Sequence, residues 1–112
     1  MLNLMALDRI FDALGDPTRR WIVEVLCDRE DSVSRLAEPF ALSLTTILQH
    51  VKVLEQSGLI HTQKYGRERR CRIEPQALRL LDEWVTPRRR VWDTRVSACS
   101  GVDYRRALSS KG

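Results

Sequence analysis

Apolar positions along this chain recur first at helical spacing and then at strand spacing. Leu4, Leu7, Ile10, Phe11 and Leu14 fall on one face of a helix that Gly15 ends. Asp16-Pro17 supplies an N-cap and a proline at the first helical position, opening a second helix with Trp21, Ile22, Val25 and Leu26 that runs to about Asp28. After an acidic linker, Asp28 to Asp31, Ser32 caps a short third helix carrying Val33, Leu36 and Ala37, which Pro39 stops. Ser43 caps a longer fourth helix, Leu44 to Ser57. Its predicted inward stripe is Leu44, Ile47, Leu48, Val51 and Leu54, with Thr45, Thr46, Gln49 and Val53 opposite and His50 and Lys52 on the flanks. Gly58 is placed as the left-handed residue that closes it.

Beyond Gly58 the period shortens. Leu59 to Tyr65 and Arg67 to Ile73 read as two antiparallel strands with a turn at Gly66-Arg67. Pro75 opens a fifth helix with Leu78, Leu81 and Trp84 inward. Thr86-Pro87 restarts a sixth, from Arg88 to about Ser100, presenting Val91, Trp92, Val96 and Cys99. The expectation is a mainly α fold with a small β-hairpin, one domain over residues 1–100, and a C-terminal tail from 101 to 112.

At 112 residues the chain buries only about two-thirds of its unfolded surface, which favours a dimer over a lone protomer. No stretch approaches the ~20 apolar residues of a membrane span. The N-terminus, with Asp8 and Asp12 inside its apolar pattern, does not read as a signal peptide, so a cytoplasmic protein is expected. Three scattered cysteines, Cys27, Cys71 and Cys99, suit reduced thiols better than a disulfide framework.

Charge changes the picture more than composition does. Residues 1–60 hold 6 Lys/Arg against 9 Asp/Glu, a balance of −3, whereas residues 61–112 hold 13 against 6, a balance of +7. Such segregation points toward a polyanion, most often nucleic acid. The hairpin carries Lys64, Arg67, Arg69, Arg70 and Arg72, opposed only by Glu68. A short helix, a turn, a longer helix with a polar outer face and then a basic hairpin make the winged helix-turn-helix layout. A helix fits the major groove, where base pairs expose distinct donor and acceptor patterns. Thr45, Thr46 and Gln49 can bond there, Ser43 and the free N–H groups at the helix start favour a phosphate, and an Arg-tipped hairpin can lie along the backbone.

From Asp16 to Trp92 the sequence resembles the ArsR type of winged helix-turn-helix repressors. The segments that carry the resemblance are LGDPTRRWIVEVL (Leu14 to Leu26), LSLTTILQHVKVLEQSGLI (Leu42 to Ile60), KYGRERRCRIEP (Lys64 to Pro75) and DEWVTPRRRVW (Asp82 to Trp92). The resemblance implies a homodimer held by its terminal helices, repressing transcription from an imperfectly palindromic DNA operator. Leu4, Leu7, Phe11, Val91, Trp92 and Val96 are the interface candidates. By position it implies Ser43, Thr45, Thr46, Gln49, His50 and Lys52 toward DNA, with the wing adding Lys64, Arg67 and Arg69. One departure stands out: where the family usually has a small polar residue before the Gln/Lys-His pair, this chain has Leu48, which the helical wheel turns inward.

The thiolate-rich and carboxylate/His motifs by which relatives hold metals are absent, so neither a metal nor a small-molecule effector is indicated and no cofactor is expected. A thiol sensor using Cys71, between Arg70 and Arg72, or Cys99 is the alternative, since neighbouring arginines lower a thiol pKa. Against it, buried cysteines commonly act as small hydrophobes. Trp21, Trp84 and Trp92 at helical spacing read as core or interface rather than an effector pocket. No Ser/His/Asp or Cys/His pairing and no Gly-rich phosphate loop is present, so the chain does not read as an enzyme. A winged-helix module that binds protein instead of DNA is the other competing class. The polar outer face of the fourth helix and the basic hairpin argue against it.

Overall fold

Asp16 and Pro17 set the first corner of the chain. In the computed structural model, which describes residues 4–98, helix α1 (Leu4–Leu14) ends there and α2 (Pro17–Asp28) begins. Asp16 is extended at φ −110°, and its carboxylate accepts the Arg19 N–H at 3.0 Å. The exposed carbonyls of the last α1 turn, which lack helical partners, are taken up by two side chains of α2. Arg19 Nε donates to the Ala13 carbonyl at 2.6 Å and its Nη2 to that of Asp12 at 3.2 Å, while Arg20 Nη1 donates to Leu14 at 2.7 Å.

The acidic linker is more ordered than its composition predicts. Asp31–Ser32 form a third strand, β1, ahead of α3 (Val33–Ala37). The sheet is antiparallel in the order β1-β3-β2, with β2 at Ile60–Tyr65 and β3 at Glu68–Ile73, so the expected two strands are three. Buried Asp31 holds this edge by accepting the Ser32 N–H at 2.9 Å and pairing with Arg29 Nε at 3.3 Å and Arg35 Nε at 3.8 Å. Ser32 doubles as the N-cap of α3, accepting the Arg35 N–H. Two residues carry no readable period, which is why a strand this short escapes pattern analysis.

Helix α4 (Leu44–Gln56) starts from the Ser43 cap, as its sequence predicts, and closes through Gly58 at φ +85°, a conformation that costs glycine nothing. Ile47, Val51 and Leu54 bury against Leu7, Ile10, Ile22, Leu26, Leu36, Leu59 and Ile60, the core that holds the helices to the sheet. Each such side chain contributes about 1.5–3 kcal/mol on burial. Leu44 and Leu48, expected on the same stripe, are instead 49% and 39% exposed. Leu48 sits about 100° from Ile47 on the α-helical wheel, toward the polar face, whereas Leu44 is the first residue of α4 and precedes the turns whose Ile47, Val51 and Leu54 are buried. Trp21 packs edge-on against Phe40 with centroids 4.8 Å apart, closing the turn before α4.

The chain divides into two compact units, one through Leu80 and the other from Leu81 onward. The first contains α1–α4, the sheet and the start of α5. The two C-terminal helices expected from Thr86-Pro87 are one continuous helix, α5 (Pro75–Ala98), with Pro87 inside it. Proline removes one rung of the helical ladder, the one to the Glu83 carbonyl, and restricts the residue before it. Side chains on either side reinforce the helix locally: Thr86 Oγ1 donates to Asp82 Oδ1 at 2.9 Å, and Arg88 Nη1 to the Trp84 carbonyl at 2.8 Å. The Arg88 guanidinium also lies 4.2 Å from the Trp84 ring centroid. The expected tail, 101–112, lies outside the described residues. Among the described residues no helix is long and apolar enough to cross a membrane.

Because Arg19 satisfies two carbonyls of α1, Arg19→Ala is expected to destabilise the protein by about 1–3 kcal/mol. Arg20→Ala, which removes one exposed bond, should cost about 1 kcal/mol or less. Urea midpoints of the two variants check the order; equal midpoints would show that Arg19 does not hold the corner.

Candidate nucleic-acid interface

Helix α4 presents one exposed face that is polar except at Leu48. Thr45, Leu48, Gln49 and Lys52 recur at i, i+3, i+4 and i+7, and all four are exposed. Ser43 and Thr46 stand at its N-terminal end, engaged with each other. Ser43 Oγ accepts the Thr46 N–H at 3.2 Å, and the two hydroxyls lie 3.0 Å apart. Ser43 is exposed and Thr46 half-buried, so this end keeps hydroxyls and helical N–H groups near solvent, a favourable place for a phosphate.

His50 departs from the expected face. Its side chain is only 18% exposed and turned toward α2, with Nδ1 3.3 Å from Arg19 Nη1 and 3.9 Å from Asp16 Oδ2. The Arg19 amide, with the charges of His50 and Arg19 adding to it, holds the Asp16 carboxyl below the ordinary carboxylate range despite some burial. His50 thus ties α4 to the α1–α2 corner instead of standing open to a ligand.

The sheet supplies the second part of the surface. The β2–β3 register pairs Ile60 with Ile73, Thr62 with Cys71 and Lys64 with Arg69, all on one face. That face is apolar at its base and cationic toward the tip. Arg70 and Arg72 point to the other face, where Glu68 and Glu74 approach them at 3.5 and 3.7 Å. Among the described residues no carboxylate pairs with Lys52, Lys64, Arg67 or Arg69. Like charges directly opposite on a sheet are destabilising, so the Lys64–Arg69 pair is a surface that an anion stabilises. Gly66, at φ +62°, makes the tight turn that brings Arg67 to the tip.

A link absent from the sequence reading fixes the hairpin to α4. Glu55 Oε2 accepts the Thr62 N–H at 3.2 Å and the Thr62 hydroxyl, and Arg69 Nη1 donates to that hydroxyl at 3.0 Å. Glu55 and Thr62 are seven residues apart and belong to no recognisable motif; only folding brings them together. Between helix and hairpin they line a shallow cleft of about 300 Å³ with Leu48, Val51, Lys52 and Arg69.

The other expected sites divide. Leu4 and Phe11 on α1 and Val91 and Trp92 on α5 are exposed, and Val96 is half-buried. Leu7 is 2% exposed, in the core of its own protomer, and is not available to a partner. Among the described residues no group of three or more His, Cys, Asp and Glu is clustered as a metal site.

Comparison with known proteins places this geometry. Residues 14–63 match a protein family described as a helix-turn-helix domain. YuzN of Bacillus subtilis (strain 168), an uncharacterized HTH-type transcriptional regulator, is 36% identical over 86 residues, spanning 70% of this chain and 94% of YuzN. The transcriptional repressor SdpR of the same organism is 31% identical over 61 residues, 54% of this chain and 68% of SdpR. A crystal structure of an ArsR family transcriptional regulator superposes with a TM-score of 0.77 at 37% identity, covering 83% of this chain and 97% of that one.

The thiol reading fails at Cys71. Strand alternation turns Arg70 and Arg72 away from it, leaving the sulfur 1% exposed in the core. Burial pushes its pKa up to about 11; the Arg69 charge opposes this only in part, and Glu55 and Asp31 add to it. Cys99 lies outside the described residues. A thiol kept protonated in the folded state contributes stability in full below about pH 9. That contribution is lost across pH 9 to 11, as the unfolded chain ionises first. Native alkylation with iodoacetamide at pH 8, read by mass spectrometry, should modify exposed Cys27 and spare Cys71 until urea is added. Labelling of Cys71 at the rate of Cys27 would restore it as a sensor candidate.

Proposed function

Because this chain belongs to the ArsR-type winged helix-turn-helix transcriptional regulators, we propose that it represses transcription by binding an imperfectly palindromic operator as a homodimer. That it is a DNA-binding transcriptional regulator follows from its relatives. The operator symmetry, the dimer and the direction of regulation are our reading. The observation that carries it is the exposed Thr45-Gln49-Lys52 face of α4 beside an unneutralised Lys64–Arg69 pair.

In this reading α4 enters the major groove. Gln49 bonds a base edge as amide side chains do to adenine, and Thr45 reaches the neighbouring step. Ser43, Thr46 and the free N–H groups of α4 meet a phosphate at one end of the contact. Lys52, Lys64, Arg67 and Arg69 meet the backbone at the other, where each neutralised phosphate releases counterions and makes binding fall steeply with salt. His50 acts through Arg19 and Asp16, setting the angle at which α4 leaves the corner. Repression is supported by the similarity to SdpR.

The dimer is supported by large apolar side chains exposed on both terminal helices: Leu4, Met5 and Phe11 on α1, and Val85, Val91 and Trp92 on α5. Pairing two protomers sets their recognition helices about one DNA turn, ~34 Å, apart.

Selection from a randomised duplex library with the full chain is expected to return a two-half-site consensus. Fluorescence anisotropy should then show about 10³-fold preference for it over a scrambled duplex. Gln49→Ala is expected to relax discrimination at one or two base positions by about 1–3 kcal/mol; equal weakening on every sequence would remove Gln49 from base reading. Arg67→Ala should weaken all duplexes alike and make the salt dependence shallower. An unchanged slope would place the hairpin tip away from phosphate.

A further inference from the structure

The face of α4 that is polar at Thr45, Gln49 and Lys52 is interrupted by one large apolar side chain, Leu48. It lies about 100° from buried Ile47 around the helix and is 39% exposed. Leu44, one turn earlier on the same side, is 49% exposed. The two are about 6 Å apart along the helix axis, within two base-pair steps. Single exposed leucines are ordinary on protein surfaces, and what distinguishes Leu48 is its setting. It lines the cleft between α4 and the hairpin together with the cationic groups of Lys52 and Arg69, and the Glu55–Thr62–Arg69 link holds the far wall of that cleft in place. An apolar spot rimmed by Lys52 and Arg69, neither in a direct ion pair, with the Glu55 carboxylate turned into Thr62, fits a ligand that is anionic at its edge and apolar at one point.

Duplex DNA has such a combination. In the major groove the C5-methyl of thymine is the apolar group that base edges display, beside the phosphates of the same strand. We infer that Leu48 is a specificity-determining residue that reads a thymine methyl in each half-site, with Leu44 closing the contact on its N-terminal side. Leucine offers no hydrogen bond, so this contact selects thymine over cytosine by shape and apolar burial. It leaves the hydrogen-bonding edge of the neighbouring pair to Gln49. The inference rests on the DNA-reading role proposed above.

Uracil tests it cleanly, because it removes the methyl and nothing else. With the selected duplex, each thymine is replaced by uracil in turn and binding is measured for the wild-type chain, Leu48→Ala and Gln49→Ala. The wild type should lose about fourfold at one thymine per half-site, the value of one buried methyl group. Leu48→Ala should bind the thymine and uracil duplexes equally there, whereas Gln49→Ala should keep the uracil penalty. Thermal melting of Leu48→Ala should match the wild type, since the side chain leaves no core cavity. Equal binding of thymine and uracil duplexes by the wild type at every position, or a penalty that survives in Leu48→Ala, would overturn the inference while leaving sequence-specific binding intact. A library selection that returns no preferred sequence would instead remove the DNA-reading role, and this inference with it.

Discussion

Arg19 is the interaction on which the arrangement of helices depends. Its backbone N–H secures the Asp16 cap that starts α2, its Nε and Nη2 close the carbonyls that end α1, and its Nη1 reaches His50 on α4. One guanidinium therefore fixes the angle between three helices. Arginine suits this task because its planar fork presents several donors in fixed directions, and each bond formed costs less ordering than the flexible point charge of a lysine. A small domain whose core side chains contribute only a few kcal/mol apiece has little rigidity to spare. Any reading of DNA by α4 inherits its orientation from this corner.

The opposite side of α4 is held differently. There the hairpin is an extension of the core sheet, apolar where Ile60, Cys71 and Ile73 meet the helices and cationic where Lys64 and Arg69 leave them. The Glu55–Thr62 link stands at the boundary. It satisfies an N–H and a hydroxyl that would otherwise lie buried, and it gives Arg69 an oriented acceptor with no direct ion pair. An ion pair in that place would have stabilised the free protein and weakened its attraction for an anion.

The same alternation decides the fate of the thiol. Neighbouring arginines in sequence suggest an activated Cys71, but in a strand neighbours point to opposite faces. The guanidiniums of Arg70 and Arg72 go to the outer face and to glutamates, and the sulfur goes to the core, where low polarity favours its protonated form. Proximity along a chain translates into electrostatic proximity only when the secondary structure permits it.

Local signals in the sequence determined most of the elements. Asp16-Pro17, Ser32, Ser43 and Gly58 act within one turn of themselves, so caps and stops were legible, as were the hairpin turn at Gly66 and the polar positions Thr45, Gln49 and Lys52. Tertiary structure alone decided what depends on partners distant in the chain. It paired Asp31–Ser32 with β3, carried α5 through Pro87, exposed Leu48, buried Leu7 and Cys71, turned His50 to Arg19 and joined Glu55 to Thr62. Periodicity gives the direction of a side chain around its own helix or strand. Whether another element covers that direction is set by packing, and packing is a property of the whole chain.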